Sequence, residues 1–261
     1  MHAKDKTLAI LAVIVVGALL FDINKANYDI VATPTFRMAL QKHHPGVGRL
    51  ECDTFSKVFR IDSRYNTFLD IGSNTGFHSL CMAAKGVHTI SVEMNKDKYG
   101  ALWKSRELNS WERQMSIFRV AVGDGSNTKP LCLRAPSGQC DYVQLTTIDA
   151  VLEEVVQLHP HLCPLAMKIG FEHYALLGAK QLLYKYTPCL IAMAMPVPLM
   201  KTAAEPGETL QLLLNAGYNP TSHSLEKLID VVQVGDIVDT IWEHNTINAA
   251  GDTCWSRCLF T

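Results

Sequence analysis

Residues 68–80 read FLDIGSNTGFHSL. An apolar run ends in Asp70, the turn Gly72-x-Asn74-x-Gly76 follows, and the apolar spacing after it is helical. The pattern predicts a short buried strand over 67–71 and a helix from about Gly76 to Lys85. In open α/β sheets, ligands bind just outside the carboxyl ends of the strands, which is where such a turn lies.

The sequence on either side repeats this alternation. HTISVE (88–93) reads as a second strand, and KDKYGALWKSRELN as an amphipathic helix. SIFRVAV (116–122) reads as a third strand, followed by strand-like LCLRA and DYVQL and the helix IDAVLEE. PLAMKI (164–169) predicts a strand with a helix from about Phe171 to Tyr184, and PCLIAMA (188–194) a strand followed by a helix around GETLQLLLNAGY. LIDVVQVGD and TCWSRCLF close the chain as strands. Apolar strands alternating with helices imply a doubly wound, mostly parallel sheet covered on both faces.

The turn does not suit a dinucleotide. That fingerprint, G-x-G-x-x-G, needs a second glycine two residues after the first, where this chain has Asn74. Asp70 would set a negative charge against a pyrophosphate, but it suits a ligand carrying an ammonium and a sulfonium. S-adenosylmethionine is such a ligand. Glu93, ending the second strand, stands where a carboxylate can accept from both ribose hydroxyls. The competing reading is that Asp70 and Glu93 are helix caps, which two acids at successive strand ends beside a glycine turn make the weaker one.

From about Thr67 to Tyr218 the chain resembles an FkbM-type methyltransferase. FLDIGSNTGFHSL, SVEMNKDKYGALWKSRELN with its closing Asn109, FRVAVGDG, VQLTTIDAVLEE and MKIGFEHYALLGAKQLL carry the resemblance. It implies a Rossmann-like class I methyltransferase domain that uses S-adenosylmethionine to O-methylate a hydroxyl of a glycan, lipid or small metabolite. By that resemblance Asp70, Gly72, Asn74, Gly76 and Glu93 line the cofactor site, and Asp124 of the AVGDG turn lies near the adenine. A hydroxyl nucleophile also needs a proton acceptor, and the resemblance carries Lys168 and Glu172 into the catalytic position. His78 and His173 read as a packing and a surface histidine. The family typically reads Lys-Ile-Asp-Val-Glu-Gly-x-Glu, where this chain has Lys168-Ile169-Gly170-Phe171-Glu172, and CLIAMAM lacks an acidic residue often found there. The cofactor half reads as intact and the acceptor half as damaged, which keeps a non-catalytic S-adenosylmethionine-binding protein as the rival reading.

The whole chain bounds these expectations. With 261 residues and 48% hydrophobic composition it can bury a sizeable core. A formal charge of −1 provides no electrostatic footprint for nucleic acid. TLAILAVIVVGALLF, 7–21, carries no charge and follows Lys4 and Lys6. It reads as an uncleaved signal anchor over 1–21 with the domain across the membrane in a lumenal or extracytoplasmic space, secretion after cleavage being the alternative. Residues 22–64 read as tether and leading helices, and 65–261 as the methyltransferase-like domain. The eight cysteines allow disulfides, with buried free thiols at least as expected. HPHLC and Cys254/Cys258 lack zinc-site spacing, so no metal is expected.

Overall fold

A computed structural model describes residues 28–41, 52, 67–134, 138–160, 162, 164–170, 173–196, 205–220 and 237–244. A hairpin comes first, β1 (Tyr28–Ala32) and β2 (Arg37–Gln41). Then follow β3 (Thr67–Ile71), α1 (Phe77–Ala84), β4 (His88–Val92), α2 (Lys96–Leu108), β5 (Met115–Phe118) and β6 (Val120–Val122). Next are β7 (Leu131–Arg134), β8 (Cys140–Thr146), α3 (Ile148–Leu158), β9 (Pro164–Ile169) and β10 (Leu190–Pro196). The last described elements are α4 (Glu205–Asn215), β11 (Tyr218–Pro220) and β12 (Ile237–His244).

Among the described residues, seven strands form the central sheet in the order β11-β12-β10-β9-β3-β4-β5. The five from β10 to β5 run parallel, and β12 is antiparallel to both of its neighbours. The chain winds from β3 toward β5 on one side and from β9 toward β10 on the other, so the strand order reverses between β3 and β9, which opens a crevice at their carboxyl ends. All five residues of β3 are buried, as a strand covered on both faces must be. Leu69, Ile90, Met167 and Ile191 pack against α3 on one face, and Phe68, Ala166 and Leu190 against Leu80, Met82 and Leu102 on the other. Helix starts are fixed by local chemistry: Asn95 Oδ1 accepts from the N–H of Asp97 and Lys98 at the head of α2, and Thr147 Oγ1 from Ala150 at the head of α3.

The structure departs from the sequence reading in four places. Residues 28–41 form an antiparallel hairpin instead of leading helices. Its turn is held by Thr33 Oγ1, which accepts from the Phe36 N–H at 3.0 Å. The single strand expected over 116–122 is two, because Arg119 turns away to pair with Asp141 and β6 joins β8. The helix expected over 171–184 is a 3₁₀ segment, His173–Gly178, followed by a π turn, Leu182–Tyr186. Apolar spacing is kept there, with Ala175, Leu176, Ala179, Leu182 and Leu183 buried, so only the backbone winding differs. Finally, β12 begins just past the expected strand 228–236. That stretch, 253–260 and the expected anchor 1–21 lie outside the described residues, as does most of 22–64.

The described cysteines are not free thiols. Cys52 pairs with Cys81, Cys132 pairs with Cys140, and Cys189 is also disulfide-bonded.

Candidate functional site

The turn after β3 explains its own sequence. Gly72, Asn74 and Gly76 have φ of 67°, 56° and 86°, so every second residue is left-handed. Glycine takes that conformation freely and asparagine more readily than other residues. Asn74 thus satisfies the backbone where the dinucleotide fingerprint would have glycine. Gly76 has a second constraint: a Cβ there would lie 2.1 Å from Leu102 Cδ1, so its absence lets α1 start against α2.

Glu93 is buried at the carboxyl end of β4 and joins two loops. Its Oε2 accepts from the Asn74 N–H at 2.7 Å and its Oε1 from the Asn95 N–H at 2.8 Å. The carboxylate therefore ties the glycine turn to the head of α2 through two charge-assisted bonds.

Asp70 and Lys168 are brought together, which the sequence reading did not anticipate. They are register partners on β3 and β9, and Asp70 pairs across β3 and β4 with Ser91. Asp70 is fully buried. Its Oδ2 accepts from Ser79 Oγ at 2.6 Å, and Ser91 Oγ donates to Ser79 Oγ at 2.8 Å. Lys168 Nζ sits 3.3 Å from Asp70 Oδ1 and donates to the Gly72 carbonyl at 3.0 Å. Oδ1 itself accepts no hydrogen bond from the described residues. Asp70 is thus not a bare charge offered to a ligand, because an ammonium already offsets it. Lys168, expected on the acceptor side, braces the glycine turn. Ser79 and Ser91 were missed; a hydroxyl inside the apolar strand HTISV was the available signal.

The remaining expected residues are less convergent. Asp124 is exposed beyond β6, and its Oδ1 accepts from the N–H and Oγ of Ser126 at 2.9 and 2.7 Å. Those bonds, the backbone one foremost, hold its carboxyl below the usual carboxylate range. His78 stacks edge-on against Phe77, with ring centroids 5.5 Å apart, as a packing histidine would. Glu172 and the side chain of His173 lie outside the described residues. The Gly170 N–H donates to the Ile71 carbonyl at 2.9 Å, so β9 stays beside β3 to the mouth of the crevice.

Beside the turn is a cleft of roughly 100 Å³, lined by Gly72, Met94, Val120, Val122, Leu131 and Leu145. Its apolar walls suit one flat ring system. A wider hollow of about 360 Å³ lies between the head of α2 and the β7–β8 hairpin, with Lys96, Asp97, Arg134 and Asp141 giving its wall both signs of charge. The candidate site stays at the glycine turn, because the buried carboxylates and the switch point converge there.

No protein-family model and no curated protein matches the chain. Among solved structures, a transferase from Pyrococcus horikoshii is 12% identical with a TM-score of 0.47, over 83% of this chain and 71% of that one. M. jannaschii TYW2 in complex with AdoMet is 12% identical with a TM-score of 0.45, over 84% and 87%. The METTL16 MTase domain is 13% identical with a TM-score of 0.45, over 72% and 64%. What the site can do follows from its own geometry.

Proposed function

We propose that the chain binds S-adenosylmethionine at the Gly72–Gly76 turn and is an FkbM-type methyltransferase acting on a hydroxyl of a glycan, lipid or small metabolite. The observation that carries this reading is Glu93, a buried carboxylate at the end of the second parallel strand that ties the Gly72–Gly76 turn to the head of α2, where a ribose diol would meet it. Two further observations support it. Asp70, offset by Lys168 and bonded to Ser79, fixes the strand end from which the Gly72–Gly76 turn departs. The antiparallel β12 between β10 and β11 departs from the 3-2-1-4-5-6 order of a dinucleotide-binding sheet. When bound, S-adenosylmethionine supplies a methyl group on a cationic sulfur. Gly72, Asn74, Gly76, Glu93 and Asp70 would hold it, and the Met94 cleft would take its base.

The second reading, a binding protein with little or no turnover, is favoured by Lys168. An ammonium paired with Asp70 and bonded to Gly72 O cannot accept a proton, and Ile169-Gly170 carries no carboxylate into the crevice. Transfer of a radiolabelled methyl group to a panel of hydroxyl acceptors decides between them, with Lys168→Met as the second arm. If Lys168 takes the proton, the variant loses turnover at unchanged cofactor affinity. If it braces the turn, affinity falls instead.

We also place the domain in an oxidising, lumenal or extracytoplasmic compartment behind an N-terminal anchor. The disulfides at Cys52–Cys81, Cys132–Cys140 and Cys189 support that placement. Protection of the domain from protease in sealed microsomes tests it, and digestion without detergent would reverse the orientation.

A further inference from the structure

The outer face of α2 carries aromatic side chains that no cofactor role uses. Tyr28, Tyr99, Trp103, Lys104 and Glu107 line an open cleft of about 270 Å³. The Tyr99 and Trp103 rings are 6.0 Å apart, and the Arg106 guanidinium lies 3.7 Å from the centre of the Trp103 ring. Tyr28 reaches across the helix because position 100 is glycine: a Cβ there would meet its hydroxyl at 2.5 Å. The hairpin is fastened along the same helix, Arg37 N–H to Asn109 Oδ1 at 2.9 Å and Ala39 N–H to Ser105 Oγ at 2.8 Å. Ile30 is two residues from Tyr28 and so shares its face of β1. Ile30 is 48% exposed and Trp103 38%.

Chain length says what this face meets. The apolar run ends at Phe21, seven steps before Tyr28. Fully extended, those steps span about 25 Å at most, whereas a domain of this size is roughly 40 Å across. With 7–21 read as the anchor, a tether shorter than the domain keeps Tyr28 within about 25 Å of the bilayer.

We propose that the α2–β1 face docks on the lipid bilayer that anchors Thr7–Phe21, with Tyr28, Tyr99 and Trp103 at headgroup level and Ile30 at the acyl boundary. Tyrosine and tryptophan favour that level because their rings have an apolar body and a polar edge. Arg106, stacked on Trp103, brings a cation to the phosphates. The proposal rests on the anchored reading of the N-terminus.

The test uses the full chain reconstituted into phosphatidylcholine vesicles with brominated acyl chains, which quench tryptophans at the membrane. Trp103 is one of four tryptophans, so the expected loss is about a quarter of the emission, absent in Trp103→Phe. Ile30→Glu, at an exposed position, should lower the Trp103-dependent loss at least twofold. Equal quenching of the native chain and Trp103→Phe overturns the docking while leaving the anchor intact. Unaltered Trp103-dependent quenching in Ile30→Glu overturns the place given to β1. Failure of the chain to float with the vesicles overturns the anchor, and the docking with it.

Discussion

Replacing Glu93 with alanine should loosen the site in a measurable way. The buried carboxylate accepts two backbone N–H groups, from Asn74 at 2.7 Å and from Asn95 at 2.8 Å. Hydrogen bonds to charged groups contribute about 1.5–3 kcal/mol each. Their sum is an upper bound, because water can enter the space left and reach both donors, so about 3 kcal/mol is the expected loss. For a domain of this size that lowers Tm by roughly 6–12 °C. S-adenosylmethionine affinity should fall by about 5- to 150-fold, the equivalent of 1–3 kcal/mol for an unpaired diol and a displaced turn. Glu93→Gln keeps the shape and one acceptor oxygen and should fall between. Calorimetric melts and titrations of all three proteins provide the readout. An unchanged Tm would refute the carboxylate as the tie between the loops. A lowered Tm with unchanged affinity would show that Glu93 is structural and the ribose lies elsewhere.

Three further outcomes are expected. A Cβ at Gly178 would lie 2.1 Å from the Gly123 carbonyl oxygen, so Gly178→Ala should cost about 1–3 kcal/mol and lower Tm by at least about 2 °C; an unchanged melt would show that the 3₁₀ segment is not pressed on the AVGDG turn. Burial, and then the charge of Asp97, raise the Tyr28 hydroxyl above its ordinary value. The folded form therefore holds that proton more tightly than the unfolded chain, and the stabilisation is complete below about pH 10 and lost as pH rises through the higher folded value. Thermal melts of the native chain should show a fall above pH 10 that Tyr28→Phe lacks, and equal pH dependence would contradict the packing of β1 on α2. The Cys52–Cys81 bridge closes a separation of 29 residues, worth about 3–4 kcal/mol in the chain-entropy account, so Cys52→Ser should lower Tm on the order of 10 °C; no change would mean that the bridge is not formed in solution.

The parallel core was legible because each buried strand is a short apolar run bounded by turn residues. The site turn was legible because its left-handed residues are also its glycines and its asparagine. Residues 28–41 misled because the hairpin is fastened to a helix by the Ser105 and Asn109 side chains, which are distant in sequence. The Thr33-Pro34 turn between alternating apolar residues was the one clue. The segment after Gly170 misled for another reason: burial spacing is the same for an α-helix as for 3₁₀ and π turns in succession. Asp149 caps the second of these, accepting from the N–H of Gln181 and Leu182 at 2.8 and 2.9 Å. No local pattern announces a cap supplied from 32 residues away. The role of Lys168 was hidden likewise, since its pairing with Asp70 depends on β9 lying beside β3 and not on anything next to it in the chain.

The Gly72–Gly76 turn with Glu93 should take S-adenosylmethionine and not a dinucleotide. Equilibrium titration of the purified full chain with S-adenosylmethionine and with NAD, repeated on Glu93→Ala, tests it most directly. The expected result is saturable binding of S-adenosylmethionine, its displacement by the demethylated product but not by NAD, and a roughly 5- to 150-fold weaker affinity in the variant. Binding of NAD in competition with S-adenosylmethionine, or no binding of either, would contradict it.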